Sequence, residues 1–322
     1  YLKMNYINNV NIVFYSDEQR SDSSFEMWKS IFFQKDPNIN FLKYNDINAK
    51  NSNVALVWEP PKGLLNKFKN LKGVINLGQG VDHLIKPGIV PNSLPIIRLV
   101  DPEMSKTIAS WTALQVLNEV CDFNTYQQQQ KKTIWKGHPV KYSSFNWSIG
   151  VLGLGAIGSY VAKSLLPFGF KVLGWSKSQK PIEKIDCYHG RTGFKKVLKN
   201  SKILVCLLPL TKSTKHILNK SSFEIMPKGS SIINAGRGGH INEVDLLSMI
   251  NSGHIRNAYL DVFEKEPLPS NHPFWKHKNV IIWPHVAGQT NKETAIDQII
   301  NASYCLVNNE KAPNTINRKN EY

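Results

Sequence analysis

The chain has 322 residues, a length that fits two domains or one large one. Hydrophobic residues make up 41% of it, enough for ordinary cores, so disordered and fibrous classes are excluded. Lys and Arg number 40 against 24 Asp and Glu, and the net charge of +16 first suggests a nucleic-acid partner. The earliest elements, Asn11–Tyr15, 54–58 and Gly73–Asn76, are short and rich in Val, Ile and aromatics, as strands are. Polar, helix-compatible stretches such as 25–34 lie between them, and this βαβ rhythm implies a mostly parallel sheet.

A break comes at Asp101-Pro102, where Asp can cap a helix and Pro suits its first position. In the helical pattern that follows, Ile108, Trp111, Leu114, Val116, Leu117, Val120 and Cys121 cover more than one face. A partner subunit and a contact between domains explain the second face equally well. A second βαβ series then begins with the strand Ser148–Leu152 and the turn Gly153-Leu154-Gly155-Ala156-Ile157-Gly158, followed by a helix to about residue 168. Further strands are expected at 171–175, 203–208, 231–234, 258–261 and 280–283, and a last helix at 290–307.

The charge is not uniform: residues 1–103 carry +2, residues 104–284 carry +14 and residues 285–322 are neutral. No block of five or six like charges occurs, so a basic tail is excluded, and a lysine-rich solubilising surface is the plain reading. Cys121, Cys187, Cys206 and Cys305 form no CxxC pair, which points to no metal site and to a reducing, cytoplasmic compartment. The longest strongly apolar run, 203–208, is far short of the roughly 20 residues that span a bilayer. No apolar signal-peptide region is expected near the start.

The glycines at 153, 155 and 158 stand between a strand and a helix, the context of a dinucleotide-binding turn. The first permits the tight turn, the second the approach of a pyrophosphate, and the third the close packing of helix on strand. Backbone N–H groups at the helix start, including those of Ala156 and Ile157, then favour an anion. An NAD site usually has an acid about 20 residues on. Here Ser176-Lys177-Ser178 stands instead, which suits the 2′-phosphate of NADP(H). Lys lacks the fork of Arg, so the preference for NADPH is modest and NADH remains possible.

Three segments at strand carboxyl ends carry suggestive chemistry: Asn234-Ala235-Gly236-Arg237-Gly238, Asp261-Val262-Phe263-Glu264-Lys265-Glu266-Pro267 and Pro284-His285-Val286-Ala287-Gly288. Together with GLGAIG and the earlier Gly78-Gln79-Gly80-Val81-Asp82, and in this order, they resemble the D-isomer-specific 2-hydroxyacid dehydrogenase family over nearly the whole chain. Within that family the segments Val57-Trp58-Glu59-Pro60-Pro61, Gly174-Trp175-Ser176-Lys177-Ser178 and Glu266-Pro267-Leu268-Pro269 are most similar to the glyoxylate/hydroxypyruvate reductase A group.

The resemblance implies an α/β chain in which a Rossmann dinucleotide-binding domain, 104–284, is inserted into a flavodoxin-like substrate domain made of 1–103 and 285–322. It implies that Arg237 binds substrate and polarises its carbonyl, that His285 is the general acid/base, and that Glu266 is its carboxylate partner. It places Asp261 on the nicotinamide carboxamide, Pro209 and Ala235 in the cofactor site, and the N–H groups around Gly80 and Val81 on the substrate carboxylate. It further implies a homodimer acting on small 2-oxo acids, with neither nucleic acid nor membrane as partner.

The chemistry agrees. Reduction of a 2-oxo acid leaves charge on the C2 oxygen, a protonated His285 would supply the proton, and a carboxylate beside the imidazole stabilises its charged form. Trp58 either narrows the substrate pocket or packs in the core. His83 reads as a surface residue, His240 as solvent-exposed and Trp111 as packing. Gln79 stands where the family commonly has a small residue. An NAD-linked dehydrogenase of a larger acid and a non-catalytic dinucleotide-sensing corepressor are the rival readings.

Overall fold

The computed structural model describes residues 9–16, 21–137 and 147–320. The chain divides into two compact units, Tyr1–Glu103 with Thr290–Tyr322, and Met104–Gln289. Each has its own parallel sheet.

The first unit contains β1 (Asn11–Tyr15), β2 (Asn40–Lys43), β3 (Val54–Val57), β4 (Gly73–Asn76) and β5 (Ile96–Ile97) in the order β2-β1-β3-β4-β5. That is the 2-1-3-4-5 order of flavodoxin-like sheets. Alternation along β1 sends Ile12 and Phe14 to one face and Val13 to the other. On the first face Phe14, Trp28, Phe32, Phe41, Ile296 and Ile299 form a core under α1 (Ser21–Lys35) and the C-terminal helix Lys292–Val307. On the second, Val13, Ala55, Val57, Val74, Val81 and Leu84 are buried under loops. Burial on both faces explains why β3 is apolar throughout. Strands β2 and β5 lie at the sheet edges and have four and two residues, too short to leave a pattern in the sequence.

The chain passes into the second unit within α2 (Pro102–Val120), preceded by Asp101, whose Oδ1 accepts the Glu103 N–H at 3.0 Å. Its sheet comprises β6 (Ser148–Leu152), β7 (Lys171–Ser176), β8 (Asp186–His189), β9 (Ile203–Cys206), β10 (Ser230–Asn234), β11 (Ile255–Leu260) and β12 (Val280–Ile282). The order is β12-β11-β10-β9-β6-β7-β8, all parallel. Read from β6 this is the doubly wound 3-2-1-4-5-6 order with one strand added, and its direction reverses beside β6. The helices between these strands are α4 (Ala156–Ser164), α5 (Gly190–Lys199), α6 (Lys220–Ile225) and α7 (Glu243–Asn251); the short α3 (Phe123–Lys131) follows α2. The sequence pattern shows neither β8, a polar edge strand, nor α5, whose exposed lysines mask its apolar side.

Residues 285–289, expected with the first unit, belong to the second, because Asp261 holds their backbone: His285 N–H donates to its carbonyl, and Val286 and Ala287 N–H to its carboxylate. Trp111 is packed as expected, edge-on to Trp283 with ring centroids 6.0 Å apart.

One buried polar cluster ties α2 to β11. Glu119, 1% exposed, accepts from Asn257 Nδ2 at 2.7 Å and Tyr259 Oη at 3.1 Å and pairs with Arg256 at 3.1 Å. Arg256 also pairs with Asp122. Removing Glu119 takes the acceptor from Asn257 and Tyr259 and leaves Arg256 with Asp122. Glu119→Ala should lower stability by about 3–5 kcal/mol and the isosteric Glu119→Gln by roughly 1–3 kcal/mol, read from urea midpoints at constant slope.

Candidate active site

Parallel strands deliver their loops to one edge of the sheet, and this edge of the second unit carries most of the predicted site residues. The glycine turn follows β6. Gly153 adopts φ +97°, and a Cβ there would stand 2.6 Å from the Leu207 carbonyl oxygen. A Cβ on Gly158 would stand 1.7 Å from the Gly153 carbonyl oxygen, so α4 crosses its own turn at a distance only glycine permits. At Gly155, which precedes the first residue of α4, a Cβ would meet nothing within 4 Å. That open space lies before the first-turn N–H groups of Ala156, Ile157 and Gly158, which have no intrahelical acceptors. The cradle fits a pyrophosphate.

At the end of β7, Ser176 is half-buried and its hydroxyl donates to the Ser178 carbonyl at 2.7 Å, which closes the turn that presents Lys177. Lys177 and Ser178 are exposed. Lys180, absent from the sequence expectations, reaches back to the Leu154 carbonyl of the glycine turn. Its signal in the sequence was only one lysine among many. Pro209, beyond β9, is exposed and its carbonyl accepts the Thr214 hydroxyl at 2.7 Å. Ala235 follows β10, with its N–H on the Cys206 carbonyl.

The loop after β10 is ordered by Asn234. Its Oδ1 accepts the Gly236 N–H at 3.1 Å and its Nδ2 donates to the Arg237 carbonyl at 3.0 Å. Asn before a glycine turn is a readable signal for this arrangement. A Cβ on Gly238 would lie 1.8 Å from the Phe263 carbonyl carbon, so the β10 and β11 loops touch backbone to backbone. His240, expected to be solvent-exposed, is fully buried, and its Nδ1 accepts the Arg237 N–H at 3.2 Å. The Arg237 guanidinium is half-buried and bonds the Gly236 carbonyl at 2.9 Å.

Glu266 and His285 meet across the β11 and β12 loops. His285 Nδ1 and Glu266 Oε2 are 2.7 Å apart, and Glu266 Oε1 accepts the Phe263 N–H at 2.8 Å. Burial acts to raise the Glu266 carboxyl, but the hydrogen bond and charge of His285, the Phe263 N–H and the nearby Arg237 together hold it below the usual carboxylate range. His285 has φ +55°, a left-handed conformation uncommon outside glycine. Its N–H on the Asp261 carbonyl at 2.9 Å and the Asp261 carboxylate on Val286 and Ala287 N–H, at 2.9 and 3.0 Å, fix that conformation. Burial raises the Asp261 carboxyl, Glu266 adds to the effect, and these N–H groups and His285 oppose it. Asp261, expected on the cofactor, thus gives both its oxygens to the loop that carries His285; each retains a second lone pair.

The remaining predicted residues lie in the first unit. Trp58, just past β3, is half-buried. Its ring packs on His83 at a centroid distance of 4.8 Å and closes on Gly78, where a Cβ would stand 2.7 Å from the indole. His83, expected at the surface, is buried, with Nε2 3.1 Å from Asn76 Oδ1. Gly80 and Val81 follow β4. The Val81 side chain is core, and neither N–H has an acceptor among the described residues. Gln79 Oε1 is buried without a hydrogen-bond partner among them.

Among the described residues, no group of three or more His, Cys, Asp or Glu is arranged to hold a metal ion, and no helix is long and apolar enough to cross a membrane.

Comparison with known proteins gives the chain's relatives. The family model for D-isomer specific 2-hydroxyacid dehydrogenase, NAD binding domain, matches residues 113–287. A glyoxylate/hydroxypyruvate reductase A of Yersinia enterocolitica is 36% identical over 90% of this chain and 93% of its own length. That of Photorhabdus laumondii is 38% identical over 84% and 88%. A D-isomer specific 2-hydroxyacid dehydrogenase from Xanthobacter autotrophicus Py2, solved with NADPH and MES, superposes with a TM-score of 0.91 at 34% identity, covering 98% of this chain and all 100% of that one. An NADPH-dependent glyoxylate/hydroxypyruvate reductase from Sinorhizobium meliloti, solved with NADP and sulfate, gives 0.89 at 27% identity, covering 97% and 100%. The chain belongs to the D-isomer-specific 2-hydroxyacid dehydrogenase family.

Proposed function

We propose that the chain is an NADPH-dependent reductase of small 2-oxo acids, glyoxylate and hydroxypyruvate foremost. The observation that carries this reading is the His285–Glu266 pair at 2.7 Å, on loops of the same sheet edge as Arg237 and the glycine turn. The relatives' names and the bound NADPH and NADP of the two solved structures support the substrate class and the cofactor.

Bound nicotinamide would supply the hydride. The Met104–Gln289 unit holds the cofactor: Gly153, Gly155 and Gly158 with the N–H groups of Ala156 and Ile157 take the pyrophosphate, and Ser176, Lys177 and Ser178 the 2′-phosphate. Lys180 adds a second positive charge beside that turn. Pro209, Ala235 and Asp261 line the rest of the cofactor site.

The N–H groups around Gly80 and Val81 bind the substrate carboxylate, and Trp58 restricts the size of the acid. Arg237 stabilises the charge that develops on the C2 oxygen. Glu266 holds His285 by Nδ1, which leaves Nε2 to deliver the proton to that oxygen. Glu266 stays ionised through the neutral range, because its carboxyl is held low, and so keeps an acceptor on His285 Nδ1.

The protein acts as a homodimer in the cytoplasm. Exposed Leu114, Phe123, Ile134 and Trp135 on and after α2 support the first, and four free cysteines the second.

Three measurements test this. His285→Gln should lower kcat with glyoxylate by about 10²–10⁴-fold while the NADPH Kd stays unchanged; retained turnover removes His285 from its role. Lys177→Asp should raise KM for NADPH at least about tenfold and leave KM for NADH nearly unchanged, since only the 2′-phosphate loses its counter-charge. Because the folded carboxyl of Glu266 lies below its ordinary value of 4.5, its stabilising effect is present above that pH and is lost as pH falls through the folded value. The stability gap between wild type and Glu266→Gln in urea should therefore be full at pH 7 and shrink below about pH 4.

A further inference from the structure

We infer that Asn76, held by His83, is a positioning residue that aims the N–H groups of Gln79 and Val81 as a two-donor clamp for the substrate carboxylate. The inference rests on the proposed reduction of 2-oxo acids and deepens it. It assigns the donors to particular peptides and finds what orients them.

Asn76 is the last residue of β4 and is wholly buried. Its Nδ2 donates to the carbonyl of Gly78 at 2.8 Å, which also accepts the Leu99 N–H at 3.2 Å, and to that of Gly80 at 2.9 Å. In a trans peptide the C=O and the following N–H point in opposite directions. Fixing the Gly78 carbonyl on Asn76 therefore turns the Gln79 N–H away from Asn76. Fixing the Gly80 carbonyl does the same for the Val81 N–H. Neither N–H has an acceptor among the described residues. Two parallel unengaged donors two residues apart form a concavity suited to an anion. The Val81 side chain is packed in the core and Gly78 is closed over by Trp58, so the loop is pinned on both sides of the donors.

Only the Nδ2 end of the Asn76 amide can serve two carbonyls, and His83 holds the other end. Its Nε2 lies 3.1 Å from Asn76 Oδ1; with both Asn76 N–H bonds on carbonyls, that oxygen must accept, so His83 donates from Nε2. The Trp58 ring against His83 holds the imidazole in place. The chain of support runs Trp58, His83, Asn76, then the two peptides.

Oxalate, a dicarboxylate that accepts no hydride, probes the clamp by calorimetry on the full chain with NADPH present. Asn76→Asp has no donor and repels both carbonyls. It should raise the oxalate Kd and the glyoxylate KM at least tenfold, with kcat reduced far less and the NADPH Kd within twofold. His83→Leu should move the same constants in the same direction, and His83→Gln, which keeps a donor, should recover most of the loss. An oxalate Kd within twofold of wild type in Asn76→Asp overturns the inference, as does an NADPH Kd that worsens in step, which would mark a general structural fault. Wild-type protein that binds no oxalate overturns it as well. Oxalate binding that depends on Asn76, in a chain that reduces no 2-oxo acid, upholds the clamp and sinks the proposed reaction instead.

Discussion

The candidate chemistry depends on one carboxylate that is 2% exposed. Asp261 accepts from the backbone of His285, Val286 and Ala287, three successive N–H groups of a loop that begins at the end of β12. Left-handed backbone at a non-glycine residue costs of order 1 kcal/mol or more, and surrounding bonds have to hold it. Here they bring the His285 ring against Glu266. The cost of burying Asp261 is offset by two bonds to its carboxylate, while burial and the nearby Glu266 together still raise it. A buried carboxylate kept for two backbone N–H groups specifies geometry more than it adds stability.

The same sheet edge separates charge by distance from solvent. Asp261 is buried, whereas Arg237, Glu266 and His285 are partly exposed. Partial exposure leaves the second group of residues open to solvent while the first keeps its place. The +14 of residues 104–284 acquires a physical setting here. Lys177 and Lys180 stand on the loop after β7, and Lys195, Lys196 and Lys199 lie exposed on α5. These exposed lysines give the unit a positive field that an anionic dinucleotide would meet.

Much of this was legible in the sequence because a parallel sheet repeats one rule, that chemistry follows strand ends. The glycine turn, Asn234 to Gly238, and His285 each came directly after an apolar run that could be recognised. What the sequence hid was long-range. Nothing near Asp261 announces that residues 286 and 287 will claim its oxygens, since the partners are 25 and 26 positions away. His83 and His240 read as surface residues because histidine in a polar loop usually is. Both are buried, His83 through Asn76 and His240 through the Arg237 N–H, and those partners become visible only once the turn is folded. The short edge strands and α5 escaped for a simpler reason, that their apolar content is low.

Three loops share one solution. After β4, β10 and β11 the first residue to leave the ladder, or the last within it, is an Asn or Asp no more than 2% exposed: Asn76, Asn234 and Asp261. A strand end buries backbone groups that have lost their ladder partner, and these must be paired. An Asx side chain is short enough to reach backbone a few residues on without leaving the sheet edge, and it gives up little rotamer freedom in doing so. Asn suits the loops where carbonyls need a donor, as at Gly78, Gly80 and Arg237. Asp suits the one where only N–H groups converge. The choice between amide and carboxylate therefore follows from which side of the loop's peptides turns inward, and so fixes which side is left to face a ligand. Asn76 draws carbonyls in and leaves donors for an anion. Asp261 draws donors in and holds an imidazole in place. The choice of Asn or Asp at each strand end thus shapes the loop that follows it as much as that loop's own residues do.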